Sequence, residues 1–341
     1  MTTSLPAPLP ARGDHPFAAL FAGEKPFPAL PAVDHYAGAE KLLRKALTLQ
    51  QELGPVFDIT GDCEDGAPAG LEAEHAAQIA ALAASAENRH GRLGARIHDI
   101  THPHWRRDLE ILLAGADGRL AYITLPKARG AADATAQIDA LRQIEARLGL
   151  APIPAHILIE THGALREVWR IAALPGVESL DFGLMDFVSA HRGAIPDAAM
   201  KSPGQFEHPL IVRAKTEIAA AALANGIVPS HNVTTALTDP AIVARDALRA
   251  RNEFGYLRMW SIHPAQIRPI LAAMQPGHEE TEEAAAILIA AQDAAWGPIQ
   301  RHGRLHDRAS YRYYWTLLER AYNTSTAVPN EAIQRFFDPP R

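Results

Sequence analysis

The chain has 341 residues, 48% of them hydrophobic and 21% charged, with 33 Lys and Arg against 39 Asp and Glu for a formal net charge of −6. That balance excludes a globally disordered chain and leaves no basic stripe for neutralising phosphates, so no nucleic-acid partner is expected. The single cysteine, Cys63, excludes an intrachain disulfide scaffold and favours a reducing compartment.

Prolines at 6, 8, 10, 16, 26, 28 and 31 crowd the first residues. Because proline lacks a backbone donor and blocks helix interiors, residues 1–26 are expected to form an extended arm. The stretch has no basic segment followed by an apolar one, as a signal peptide would. The longest apolar run of the C-terminal third, Ala284–Ala291, is far shorter than the ~20 residues that span a bilayer. A cytoplasmic protein with no membrane partner is expected.

Short apolar runs then alternate with longer amphipathic stretches. The strands predicted are Ala29–Val33, Val56–Thr60, Leu93–Ile97, Leu120–Leu125, Ala155–Glu160, Ser179–Phe182, Ile227–Ser230 and Tyr256–Ser261. Helices are predicted at Gly38–Leu53, Leu71–Asn88, Ala131–Leu148, Leu165–Leu174, Leu210–Ala224 and Pro240–Glu253. Each strand is apolar on both faces, as in a parallel sheet covered by helices. Eight strands alternating with helices point to a (β/α)8 TIM barrel over residues 27–275. No G-x-G-x-x-G follows an early strand and no phosphate-binding loop is present, which disfavours a dinucleotide-binding sheet. Residues 190–208 lack periodicity and read as a long functional loop. Residues 276–341, with helices at Glu279–Ala295 and Tyr311–Tyr322, read as a C-terminal helical appendage. Its stretch Arg301–Tyr314 has a composition that suits a subunit interface.

Active sites of such barrels sit where strands end. The residues leaving strands two to eight are Asp62-Cys63-Glu64-Asp65, Arg96, Lys127, Glu160, Asp186, His231 and His263. They recur at about the 30-residue length of one βα unit, so they converge on one mouth. Glu160 and Asp186 suit an octahedral Mg²⁺, which takes one or two protein carboxylates. Arg96 suits a substrate carboxylate or an enolate oxygen. Glu64 and Asp65 can orient water on the metal, or one of them can act as a base. Lys127 is either a Schiff-base nucleophile or a cation for the acidic pair, and the neighbouring carboxylates favour the second. His162 and His231 line the mouth, with His231 a candidate substrate contact. Cys63, between acids, is expected to be inert, and no G-x-S-x-G elbow supports a serine hydrolase.

These strand ends carry a resemblance. Asp62-x-Glu64-Asp65-Gly-Ala, Arg96-Ile, Pro126-Lys127, Ile159-Glu160-Thr, Phe182-Gly183-x-x-Asp186 and Ile262-His263-Pro264-x-Gln266-Ile together resemble the citrate lyase β-subunit-like family of the HpcH/HpaI aldolase group, which includes malyl-CoA and citramalyl-CoA lyases. The resemblance implies a barrel of the phosphoenolpyruvate/pyruvate type. It also implies carbon–carbon bond cleavage or formation through an enolate, on an oxo or hydroxy acid or its CoA thioester. Mg²⁺ is the implied cofactor, with Mn²⁺ as a substitute and no organic prosthetic group, and a homo-trimer or hexamer is the implied assembly. Carried across, Glu160 and Asp186 are the metal ligands, Arg96 binds substrate, and Glu64 and Asp65 support the metal. Gly303-Arg-Leu-His-Asp307 resembles the segment whose aspartate reaches a neighbouring subunit's site. Two departures stand out. The family's D-L-E-D-A-V carries Cys63 and Gly66 here, and its R-I-N continues here as His98-Asp99.

Two other readings compete. A metal-dependent hydrolase would use His98, His102, His104 and His162, because H-x-H can supply two ligands. A non-catalytic member would bind a dicarboxylate or acyl-CoA without turnover.

Overall fold

The computed structural model describes residues 15–337 except positions 22, 68, 238 and 325. Eight strands close into a parallel barrel in sequence order: β1 (Val33–Ala37), β2 (Phe57–Asp62), β3 (Leu93–Arg96), β4 (Ile123–Leu125), β5 (Ala155–Ile159), β6 (Val177–Phe182), β7 (Val228–His231) and β8 (Arg258–Ser261). β1 pairs with both β2 and β8, which completes the ring. The fold is the (β/α)8 TIM barrel expected from the alternation. Helices such as Glu40–Leu53, Ala131–Leu148 and Pro240–Phe254 lay Leu43, Leu47, Ile138, Leu141 and Val243 against strand residues such as Ile59, Leu93 and Ile157. Removing these apolar faces from water drives the assembly.

The predicted strand one is corrected by four residues. The apolar Ala29–Val33 reaches only the first residue of β1, which reads Val-Asp-His-Tyr-Ala and is buried throughout. Polar residues are tolerated there because the N-terminal end of the barrel is cross-linked by charge. Arg258, fully buried, pairs with Asp58 at 2.5 Å and Asp34 at 3.0 Å, and the hydroxyls of Thr60 and Tyr122 donate to Asp34 Oδ1 at 2.8 and 3.0 Å. A buried charge is retained only when paired. The long loop expected over 190–208 holds two 3₁₀ turns, Asp197–Met200 and Gly204–Phe206, and buries Gln205 and Phe206.

The chain divides into two compact units. One is the barrel, Leu30–Met274; the other joins residues up to Ala29 with those from Gln275 on. Much of the predicted arm over 1–26 lies outside the described residues. Its described part is not simply extended, because Pro16–Phe21 is a helix whose Leu20 is buried with Trp315, Leu318 and Phe336 in the second unit's own core. That unit pairs helices His278–Asp293 and Arg308–Asn323. It also adds a hairpin of β9 (Ile299–Arg301) and β10 (Arg304–His306) that the helical reading of this region missed. No described helix is long and apolar enough to cross a membrane.

Candidate active site

The C-terminal ends of β2 to β6 bring six of the expected residues together. Arg96, the last residue of β3, is gripped by Asp62, the last of β2. Nε donates to Oδ1 at 2.8 Å and Nη2 to Oδ2 at 2.6 Å, while Nη1 lies 3.0 Å from Glu64 Oε2. Burial opposes the guanidinium charge, but Asp62 and Glu64 outweigh it and hold the arginine firmly protonated. Asp62 also takes the backbone N–H groups of Glu64 and Gly66 at 3.0 and 2.9 Å. Despite its burial, the Arg96 charge keeps its carboxyl below the usual range. Asp62 is thus the anchor of the site, a role its strand-end position did not reveal.

Lys127 follows β4 with φ +48, a left-handed conformation that turns its backbone N–H onto Glu160 Oε1 at 2.7 Å. Its ammonium lies 2.9 Å from both Glu64 and Asp65 and 3.7 Å from Asp186. Burial works against this charge, but Glu64, Asp65 and Asp186 raise its pKa above the ordinary lysine value. The ammonium is thus placed as the cation of the acidic cluster. Glu64 itself is pushed up by burial against the pull of Arg96 and Lys127.

Glu160 leaves β5 and is 2% exposed; burial, then the nearby Asp186 charge, push its pKa up to about 8. Asp186 sits in the first turn of Leu184–Ala190, the helix after β6. The intervening Gly183 is sterically required, because a Cβ there would lie 2.2 Å from Glu160 Oε2. Gly66 is explained likewise: a Cβ would meet Asp62 Oδ2 at 2.4 Å, so the loop after β2 closes more tightly than an alanine allows. Five carboxylates therefore face two fixed cations. A buried carboxylate beside a second acid suits a divalent cation, whose charge offsets both. Glu160 and Asp186 are neighbouring carboxyl groups of this kind.

Other expected residues lie elsewhere. His231, a candidate substrate contact, is corrected. It is fully buried, stacked on Phe206 at 5.3 Å, bonded through Nε2 to Lys215 and through Nδ1 to the Asn232 carbonyl. Burial and then Lys215 lower its pKa far below the ordinary value. Asp307 belongs to the second unit, where its Oδ1 accepts the Ala309 and Ser310 N–H groups as the N-cap of Arg308–Asn323. The four histidines of the hydrolase reading do not form one group: His98, His102 and His104 neighbour one another, with His102 and His104 at 5.8 Å, but His162 is not among them. His98 and His102 stack in parallel at 3.9 Å, while His162 packs against His191 at 4.4 Å. Among the described residues no group of three or more His, Cys, Asp or Glu is arranged to hold a metal. Cys63 is buried, and burial followed by Asp108 and Asp62 pushes its thiol well up.

Comparison with known proteins gives the family and the fold. Residues 60–264 match the family model described as HpcH/HpaI aldolase/citrate lyase. A citrate lyase subunit beta-like protein of Deinococcus radiodurans is 29% identical over 75% of this chain and 86% of its own length. An L-malyl-CoA/beta-methylmalyl-CoA lyase of Cereibacter sphaeroides is 31% identical over 67% and 76%. The crystal structure of a citrate lyase from Burkholderia xenovorans superposes with TM-score 0.84 and 58% identity, covering 94% of this chain and 99% of that one. The CitE protein of Mycobacterium tuberculosis, solved with magnesium, acetoacetate and coenzyme A, shares the fold at TM-score 0.66 and 22% identity, over 86% and 99%.

Proposed function

The chain belongs to the HpcH/HpaI aldolase/citrate lyase family and is a carbon–carbon lyase; on that premise we propose that it cleaves or forms the bond through an enolate of an oxo or hydroxy acid carried as its CoA thioester. The proposed cofactor is Mg²⁺, held by Glu160 and Asp186, with Mn²⁺ able to replace it. The observation that carries this reading is the meeting of the buried Glu160, held through Oε1 by the Lys127 N–H, with Asp186, Glu64 and Asp65 around the Lys127 ammonium at the mouth of the barrel. A divalent cation there supplies Lewis-acid stabilisation of negative oxygen.

The chain's own groups divide the remaining work. Arg96 is fixed bidentately by Asp62 and keeps part of its donor set uncommitted, ready for a substrate carboxylate or an enolate oxygen. Lys127 holds Glu64 and Asp65 in place and directs its backbone N–H at Glu160, which orients that carboxylate. The named relatives that act on malyl-CoA support the thioester class.

The reading is tested by assaying malyl-CoA, citramalyl-CoA and 4-hydroxy-2-oxo acids with Mg²⁺ and with EDTA. Turnover is expected to need the metal and to fall at least about a hundredfold in Glu160→Ala and Asp186→Ala. Metal-independent turnover surviving in both variants overturns it. We further assign residues 276–341 to subunit contacts in a homo-trimer or hexamer.

A further inference from the structure

The helices that follow β5 and β6 enclose a second concave site. His162–Arg166 starts directly after β5, Leu184–Ala190 directly after β6, and Pro209–Ala224 follows the 190–208 segment on its way back to β7. All three therefore begin at the end of the barrel where the strands finish. Between them lies a cavity of about 230 Å³ whose ionisable lining is His162, Arg166, His191 and Arg213. Leu165, Phe187 and Leu210 complete its wall, and no carboxylate lines it. The chain as a whole carries a net charge of −6, so a pocket with two guanidiniums and no acid runs against the average surface. The mouth residues Arg96, Lys127, Glu160 and Asp186 are not part of this lining.

The cations are not spent on protein partners. Arg213 has no hydrogen bond or ion pair with any described residue. Arg166 approaches only Glu167, at 3.7 Å, with its own side chain 73% exposed. Glu167 meanwhile accepts the Ala131 N–H at 2.9 Å and approaches Arg170 at 3.6 Å. The two imidazoles are pinned by backbone carbonyls. His191 Nδ1 donates to Phe187 O at 2.6 Å and His162 Nε2 to Ala190 O at 3.1 Å, which sets the rings 4.4 Å apart. A carbonyl only accepts, so those nitrogens carry the hydrogens and each ring keeps a lone pair on its other nitrogen. Leu210 and Arg213 stand near the start of a 16-residue helix that no side chain caps, so its positive end adds to the guanidiniums.

Two imidazoles alone would suit a metal cation, but two unpaired guanidiniums beside them repel one and attract an anion. A carboxylate is planar and one guanidinium fork saturates it. Guanidiniums reaching in from two separate helices suit a group with more oxygens and two negative charges. Phosphate in its singly protonated form also brings an O–H, which an imidazole lone pair accepts. The apolar wall excludes water on one side and strengthens these attractions.

We propose that this cavity is a binding site for a phosphate group, free or carried on a larger molecule, with Arg166 and Arg213 pairing its charge and His162 and His191 completing its polar wall. No bond is made or broken there, and the proposal does not depend on the lyase reading.

The full-length protein, supplied with Mg²⁺, is titrated with inorganic phosphate at constant ionic strength. Ring signals of His162 and His191 are followed by ¹H–¹³C spectra and assigned from His162→Gln and His191→Gln. Both signals are expected to shift and to saturate. Arg166→Gln and Arg213→Gln are each expected to weaken binding at least about tenfold, and Arg213→Lys less than Arg213→Gln because it keeps the charge but loses the fork. Thermal melts of these variants are expected to match the wild type, since neither arginine supports a buried contact. A wild type without saturable shifts overturns the proposal, as does an unchanged affinity in the double variant Arg166→Gln, Arg213→Gln. Competition names the carrier: displacement of phosphate by CoA and not by pantetheine assigns the group to the thioester, and phosphate retained against CoA assigns a free ligand. The titration reads binding rather than turnover, so its failure leaves the lyase reading standing, and a chain without lyase activity leaves this site standing.

Discussion

Single side chains at this mouth are constrained at the level of tenths of an ångström. Adding a methyl at Gly183 places it 2.2 Å from Glu160 Oε2. Gly183→Ala is therefore expected to swing that carboxylate and weaken divalent-ion affinity by about 10- to 100-fold, read by metal titration. Glu160 also sets a pH dependence. Its folded pKa of about 8 stands above the ordinary 4.5, so the metal-free folded chain keeps a proton that the unfolded chain releases. Its contribution to stability is full below about pH 4.5 and is lost as pH rises through about 8. Thermal melts of metal-free protein across that window are expected to fall more steeply for wild type than for Glu160→Gln. Glu160, Asp186, Arg96, Lys127, Glu64 and Asp65 were readable because each leaves a strand in phase with the barrel repeat. His231 leaves a strand too, yet the strand pleat turns it away from the mouth, onto Lys215 of the covering helix and Phe206. A pleat of period two makes that choice on a single residue of register, which a four-residue strand does not disclose. Asp62 hid behind its neighbours, because a carboxylate that anchors an arginine has the same letter as one that binds a metal.

Among the elements, the connections after the strands matter as much as the strands. Gln266, fully buried in the helix Pro264–Met274, accepts the Ile262 and His263 N–H groups and donates to the Thr234 and Ala236 carbonyls. One amide thus ties the loops after β7 and β8 to the helix that follows. Gln266→Ala leaves one buried and three part-buried backbone groups without this partner and is expected to cost about 1–3 kcal/mol of stability, read by urea unfolding. Helices were legible wherever an apolar stripe ran uninterrupted: Ala131–Leu148 matches its predicted bounds. The predicted Leu165–Leu174 is instead two short helices, His162–Arg166 and Val168–Ala172, divided at Glu167. Glu167 carboxylate oxygens accept the Ala131 N–H and approach Arg170, so a tertiary tie competes with helix continuity there. β1 was misplaced because its Asp34 is partnered by Arg258, more than two hundred positions away, and local pattern carries no trace of so distant a partner.

At the scale of the whole molecule, the chain builds two separate cores, one around the barrel strands and one around Trp315 and Leu318. The second unit carries the most exposed large apolar side chains, Leu305 at 72% in β10 and Tyr313 at 62% on the following helix. If this face joins subunits, Leu305→Glu lowers the particle mass in light scattering; an unchanged mass counts against the assignment. The barrel was legible as an architecture because alternation repeats eight times, whereas the hairpin of β9 and β10 spans three residues a strand and carries no such repetition. The lone cysteine has a use that spans the chain. Cys63 sits sealed between the anchor Asp62 and the ion-paired Glu64, and it is the only thiol in 341 residues. A thiol reagent added to native protein reacts only in molecules whose β2 loop has opened. The labelling half-life is then a clock for the mouth itself, run without mutation or attached dye, and any ligand that closes the mouth slows it.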